Sequence, residues 1–180
     1  MRKSLAALLS ACLASSACVA DNQAANLSSN QSTPKLASPA PEFQGVDHWI
    51  NSKPMTMQSL RGKPVLVEFW TFDCINCIHV VPHVKAWHEK YSGKGLAVVG
   101  VHTPEYGHER VTANVEEAVK HLGIRYPVAQ DNAYATWNAY GNQYWPALYL
   151  IDAQGRIVYS HFGEGNYDET ERRIVQLLGK

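Results

Sequence analysis

Five of the six residues in Val65-Leu66-Val67-Glu68-Phe69-Trp70 are apolar, and the run is entered through Gly62-Lys63-Pro64. A short β-rich stretch of this kind reads as a buried strand. Leu96-Ala97-Val98-Val99-Gly100-Val101 is a second one. Between the two, Val80, Val81, Val84, Trp87 and Tyr91 point inward on a helix that starts at Cys74, with Asp73 as its cap and Pro82 as a kink. Helical spacing returns in Val111, Val115, Ala118, Val119 and Leu122, with Gly123 as the stop. A third strand is expected over 126–129 and a short helix over 134–140. Residues 147–151 and 156–161 suit a hairpin across Asp152-Ala153-Gln154-Gly155, and a last amphipathic helix is expected over 168–178 with Ile174, Leu177 and Leu178 inward. Strands alternating with helices, closed by a hairpin and a helix, predict an α/β fold: a mixed central sheet flanked by helices on both faces.

The length of 180 residues suits one compact domain with appendages, and 46% hydrophobic residues suffice to fill its core. Lys plus Arg and Asp plus Glu both number 16, so no charge excess points to nucleic acid or an anionic membrane surface. Residues 1–20 read as a signal peptide or a lipoprotein leader. Arg2-Lys3 form its positive start, 5–13 its apolar stretch, and Ser15-Ser16-Ala17 the small residues near a cut. Cleavage after Ala20 fits simple export, while Cys12 and Cys18 each follow a lipobox-like stretch and would serve as a lipid anchor. Residues 21–40 are rich in Asn, Gln, Ser, Ala and Pro; they bury too little to offset their ordering entropy and are expected as a flexible linker. The folded domain is then 41–180, exported, and either periplasmic or tethered to a membrane through a lipidated cysteine.

Of four cysteines, only Cys74 and Cys77 fall in the globular part. Two cysteines make neither a stapled mini-protein nor a four-cysteine zinc site. Cys74-Ile75-Asn76-Cys77 follows a strand directly, which puts it at the carboxyl edge of the sheet, where open α/β folds bind ligands. At a helix start the first sulfur is exposed to unpaired N–H groups that favour a thiolate. The second lies about one turn on, within reach of a mixed disulfide. An inert disulfide closing so short a loop would stabilise by only ~2 kcal/mol.

Other chemistries compete for the pair. His79 and His83 stand four apart on the same helix and suggest a copper or zinc chaperone, although Pro82 interrupts them. Thr71-x-x-Cys74 echoes part of a thiol peroxidase motif, but position 67 is Val where that motif has proline. Covalent haem needs histidine at position 78, which is Ile.

Phe69-Trp70-Thr71-Phe72-Asp73-Cys74-Ile75-Asn76-Cys77, with Pro82 beyond it, resembles thioredoxin-like proteins of the TlpA/ResA type. Further similar stretches are Val101-His102-Thr103-Pro104-Glu105, Asp131-Asn132-Ala133-Tyr134-Ala135-Thr136-Trp137, Tyr144-Trp145-Pro146-Ala147 and Phe162-Gly163-Glu164-Gly165. Within that type the chain most resembles, over about 41–178, the thioredoxin-like domain at the C-terminal end of DipZ proteins. The resemblance implies a thioredoxin fold with an inserted helix and strand, and a thiol–disulfide oxidoreductase that needs no cofactor. It implies Cys74 as nucleophile, Cys77 as resolving thiol, Glu68 as a buried acid that handles protons, and Pro146 as a cis-proline beside the disulfide. Trp145 is either a substrate-facing aromatic or a core one, and His102 or Glu105 could line the site. Expected partners are protein thiols and disulfides. The membrane relay helices that precede this domain in DipZ do not occur in the sequence, so a separate electron-donor or acceptor protein is also expected.

Overall fold

All six residues of Val65–Trp70 are buried, as a strand in the middle of a covered sheet must be. The computed structural model describes residues 38–179; the leader and nearly all of the expected linker lie outside the described residues. In chain order the elements are β1 (His48–Ile50), β2 (Val65–Trp70), α1 (Ile75–Tyr91), β3 (Ala97–His102), α2 (Thr112–His121), β4 (Val128–Gln130), α3 (Ala135–Ala139), β5 (Ala147–Ile151), β6 (Ile157–Phe162) and α4 (Tyr167–Leu177). One six-stranded sheet runs β1-β4-β3-β2-β5-β6. The crossover through α1 brings β3 back parallel to β2, and β4 lies parallel to β3. The remaining pairs, β1 with β4, β2 with β5 and β5 with β6, are antiparallel.

Successive side chains of β2 face opposite sides of the sheet. Leu66 and Trp70 pack with Val80, Val84 and Trp87 of α1, Val115 and Val119 of α2 and Ile174 of α4. Val65, Val67 and Phe69 pack on the other face with Leu60, Trp137 and Tyr140. Helices therefore cover both faces, as the alternating order predicts. Glu68 shares the first face with Leu66 and Trp70, so its carboxyl group points into apolar surroundings beneath α1.

Several local expectations shift. His48–Ile50 is too short for an apolar pattern to mark it, and it becomes a strand only by pairing with Val128–Gln130. The strand expected over 126–129 begins at Val128 instead. Tyr126 stays outside the ladder, its carbonyl accepting from Asn51 Nδ2 at 3.1 Å. Val111 precedes α2 as its N-cap and is half exposed, because the cap position lies ahead of the buried helical face. Ser38 and Ala40, polar-segment residues by composition, are held by backbone bonds: Ile157 N–H donates to the Ser38 carbonyl and Ala40 N–H to the Gly155 carbonyl, both at 2.9 Å. Pairing of this kind needs no apolar side chain, so composition does not reveal it. No helix among the described residues is long and apolar enough to cross a membrane.

Candidate active site

The carboxyl ends of β2 and β3 and the start of β5 meet at one edge of the sheet. Trp70 pairs with His102, and Phe69 with Ala147, which brings Pro146 level with Trp70. From this edge Thr71, Phe72 and Asp73 lead into α1. Cys74, rather than Asp73, is the N-cap: its backbone is extended (φ −102°, ψ 111°) and its sulfur accepts from Cys77 N–H at 3.3 Å. The Asp73 carboxylate is taken by His108 Nε2 at 3.1 Å instead.

Cys74 is half-buried and Cys77 buried, both are free thiols, and their sulfurs stand 2.6 Å apart. Burial pushes the Cys77 thiol far up. Its hydrogen bond to Cys74 and the negative charges at Cys74 and Glu68 add to this, against a backbone hydrogen bond from Thr71. Cys77 thus stays a neutral thiol until a base takes its proton. Ile75, between the cysteines, is 65% exposed and offers an apolar surface beside Cys74.

Glu68 is fully buried. Tyr126 donates its hydroxyl to Oε2 at 2.8 Å, and Oε1 has no partner among the described residues. Burial raises the carboxyl from the usual 4.5 to about 7, and the Tyr126 bond opposes the rise. The Trp145–Pro146 peptide bond is cis and Pro146 is buried. Trp145 is half-buried. Its Nε1 donates to the Thr103 carbonyl at 3.0 Å, and its ring lies 4.2 Å from that of Trp137, so the indole ties the start of β5 to the end of β3.

His102 lies beneath the site, fully buried and stacked on Phe72 at 5.6 Å. Burial holds it down at about 4, so it is neutral near pH 7. Glu105 is exposed and contributes its backbone N–H rather than its side chain. That N–H points to a residue the pattern reading does not reach. Glu109 is a buried carboxylate that accepts from the Thr71 hydroxyl, from Asp73 N–H at 3.1 Å, from Glu105 N–H at 2.6 Å and from Tyr106 N–H at 2.7 Å. Burial pushes it up, but the bonds from Thr71, Tyr106, Asp73 and Glu105 outweigh burial and leave it below the usual carboxylate range. It clamps the strand-to-helix turn to the loop after β3. No apolar period or motif marks Glu109 in the sequence.

The competing chemistries find little geometry. His79 pairs with Glu164 at 3.0 Å, while His83 stacks on Tyr167 at 3.5 Å, so the two histidines are engaged separately. Among the described residues no group of three or more His, Cys, Asp or Glu could hold a metal ion. The Thr71 hydroxyl of the peroxidase-like Thr71-x-x-Cys74 spacing donates to Glu109 and contacts His102 at 3.2 Å.

The fold is shared with solved structures. The solution structure of a thioredoxin-like protein in the oxidized form matches with a TM-score of 0.74 at 30% identity, covering 81% of this chain and 97% of that one. The molecule is therefore of the thioredoxin-fold class. Thiol-disulfide oxidoreductase YkuV of Bacillus subtilis is 30% identical over 146 residues, spanning 81% of this chain and 98% of YkuV. Protein DipZ of Mycobacterium tuberculosis is 48% identical over 159 residues; these are 87% of this chain but only 23% of the length of DipZ. The profile of the AhpC/TSA family matches residues 36–160, and the chain belongs to that family.

Proposed function

We propose that the protein exchanges a dithiol at Cys74 and Cys77 for a disulfide in protein substrates. The placement of the two sulfurs carries this reading: they stand 2.6 Å apart, one half-buried and one buried. Cys74, as thiolate, attacks a substrate disulfide; a mixed disulfide forms and one substrate thiolate leaves. Cys77 then attacks the Cys74 sulfur, the second substrate thiolate leaves, and a Cys74–Cys77 disulfide closes. Two electrons pass to the substrate, and the Cys77 proton passes to Glu68. Run in reverse, the same steps oxidise a protein dithiol with electrons passing to a separate acceptor protein.

Glu68 suits the proton step because it lies beneath the redox helix and ionises at about 7. Pro146 and Trp145 border the same sheet edge and would hold the substrate's backbone and apolar side chains there, with exposed Ile75 as a further contact. Reduction of insulin by dithiothreitol tests the reading: the protein is expected to accelerate precipitation of the insulin B chain well above the uncatalysed rate. No acceleration would overturn it.

The reading extends to location. We infer that residues 1–20 direct export, with the domain periplasmic or held at a membrane through lipidated Cys12 or Cys18; the positive start and apolar stretch of the leader support this. Expressed with its own leader in a bacterium with two membranes, the protein is expected in the periplasm beginning at Asp21, or in membranes resistant to high-salt washing. Recovery from the cytoplasm with residues 1–20 intact would contradict export.

A further inference from the structure

We propose that Tyr126 is the positioning residue of the buried carboxyl group, presenting Glu68 to the redox helix through a slot that Gly100 keeps open. The proposal rests on Glu68 acting as the proton acceptor for Cys77.

Tyr126 reaches Glu68 from far along the chain. After α2 the chain turns at Gly123 (φ +65°), and Ile124 N–H donates back to the Val119 carbonyl at 3.0 Å. Asn51 then pins the segment, its Nδ2 donating to the carbonyls of Ile124 at 3.0 Å and Tyr126 at 3.1 Å. The fully buried Tyr126 ring thereby lies over β3 at Gly100, the residue that pairs with Glu68. A Cβ at position 100 would lie 3.1 Å from Tyr126 Cε2 and 2.9 Å from Trp70 Nε1. Glycine is thus what lets the phenol pass. The hydroxyl donates to Oε2 at 2.8 Å, and Oε1 is left without a partner among the described residues. One carboxylate oxygen is anchored and the other is free to take a proton.

The surroundings isolate this pair. From α1 come Cys77, whose thiol burial keeps neutral, and His88, whose ring lies 5.8 Å from that of Tyr126 and which burial holds below its ordinary value. Leu148 of β5, opposite Glu68, is apolar, as are Val115 and Val119 of α2 and Ile174 of α4 in the same core. Tyr126 itself is pushed well above its usual 10 by burial and by Glu68, so it stays a donor across the working range. A hydrogen bond to the ionised form favours that form. Removing it therefore moves Glu68 ionisation to higher pH, and strengthening it moves ionisation lower.

The test uses the reduced protein and dithiobis(nitrobenzoate), which releases one coloured thiolate when Cys74 attacks and a second when Cys77 resolves. The second release should rise with pH through a midpoint near 7 in the parent protein, where Glu68 becomes a base. Tyr126→Phe should move that midpoint up by about one pH unit and slow the second release about tenfold at pH 6. Incorporation of 3-fluorotyrosine at position 126 keeps the shape and strengthens the donor, so the midpoint should move down. The fluorinated protein also decides the matter if the phenylalanine variant fails to fold. Midpoints unmoved by both changes, with Glu68→Gln still abolishing the limb, would overturn the role of Tyr126 and leave that of Glu68 intact. A limb that survives Glu68→Gln would overturn both.

Discussion

Cys77→Ser is expected to turn the protein from an exchange catalyst into a trap. Cys74 remains half-buried at the start of α1 and still attacks a substrate disulfide. The sulfur that stood 2.6 Å away is gone, and serine cannot replace it as a nucleophile toward sulfur. A thiol held in place acts at an effective concentration that reaches about 10⁵ M or more in well-oriented systems, against millimolar thiol in solution. Resolution should therefore slow by at least a thousandfold, on the order of what losing an intramolecular nucleophile costs. Non-reducing electrophoresis and mass spectrometry should find a one-to-one adduct through Cys74 that dithiothreitol releases. Cys74→Ser should form no adduct and reduce no insulin. An adduct through Cys77 in the Cys74→Ser protein would reverse the roles of the two sulfurs.

Glu68→Gln should remove a large pH dependence of stability. The unfolded chain ionises this group near 4.5 and the folded one only at about 7. Between those values the folded state binds the extra proton, so stability is highest below the unfolded value. It falls as pH rises through the window and levels off above the folded value. At roughly 1.4 kcal/mol per pH unit, the fully buried carboxyl group costs the folded state about 3 kcal/mol at pH 8. Glutamine keeps the shape without the charge, so its slope should be absent. Cys77 and Tyr126, both raised further by burial, stay neutral below pH 8 and do not blur the comparison. Urea unfolding of the reduced proteins at pH 5 and pH 8 measures the effect: the wild type should lose about 2.5 kcal/mol more than Glu68→Gln between the two, the rest of the loss lying below pH 5. Equal slopes would place the Glu68 carboxyl group in water-like surroundings and remove the basis for its part in proton transfer.

The thiol pair and the buried acid differ in the range of the interactions that place them. The cysteine pair is local: Cys74 and Cys77 are one helical turn apart and directly follow the apolar run Val65–Trp70. The buried face of α1 is legible for the same reason, since Val80, Val81, Val84, Trp87 and Tyr91 repeat with the helical period and all five are buried. Burial of Glu68 is also implied locally, by its place in a strand covered on both faces. Its environment is not, because Tyr126 lies 58 positions away and arrives only through the turn at Gly123 and the gap at Gly100.

Asp73 shows how tertiary structure overrides a local signal. Its side chain is a good cap by residue type, yet His108, 35 positions on, holds the carboxylate, and the cap falls to Cys74. Glu109 shows the reverse case, a residue with no local signal that becomes the buried acceptor for Thr71 and Asp73 once the loop after β3 closes over the turn. His48–Ile50 is a strand only because β4 offers it a partner. By itself, then, the order of residues along the chain determined the central strand, the helix that follows the first cysteine, the position of the two thiols and the burial of one acid, since each depends on contacts within a few residues. Which side chains surround that acid, what clamps the turn before Cys74 and where the sheet ends were decided only when distant segments paired, because a buried hydrogen bond depends on proximity in space and leaves no period in the sequence.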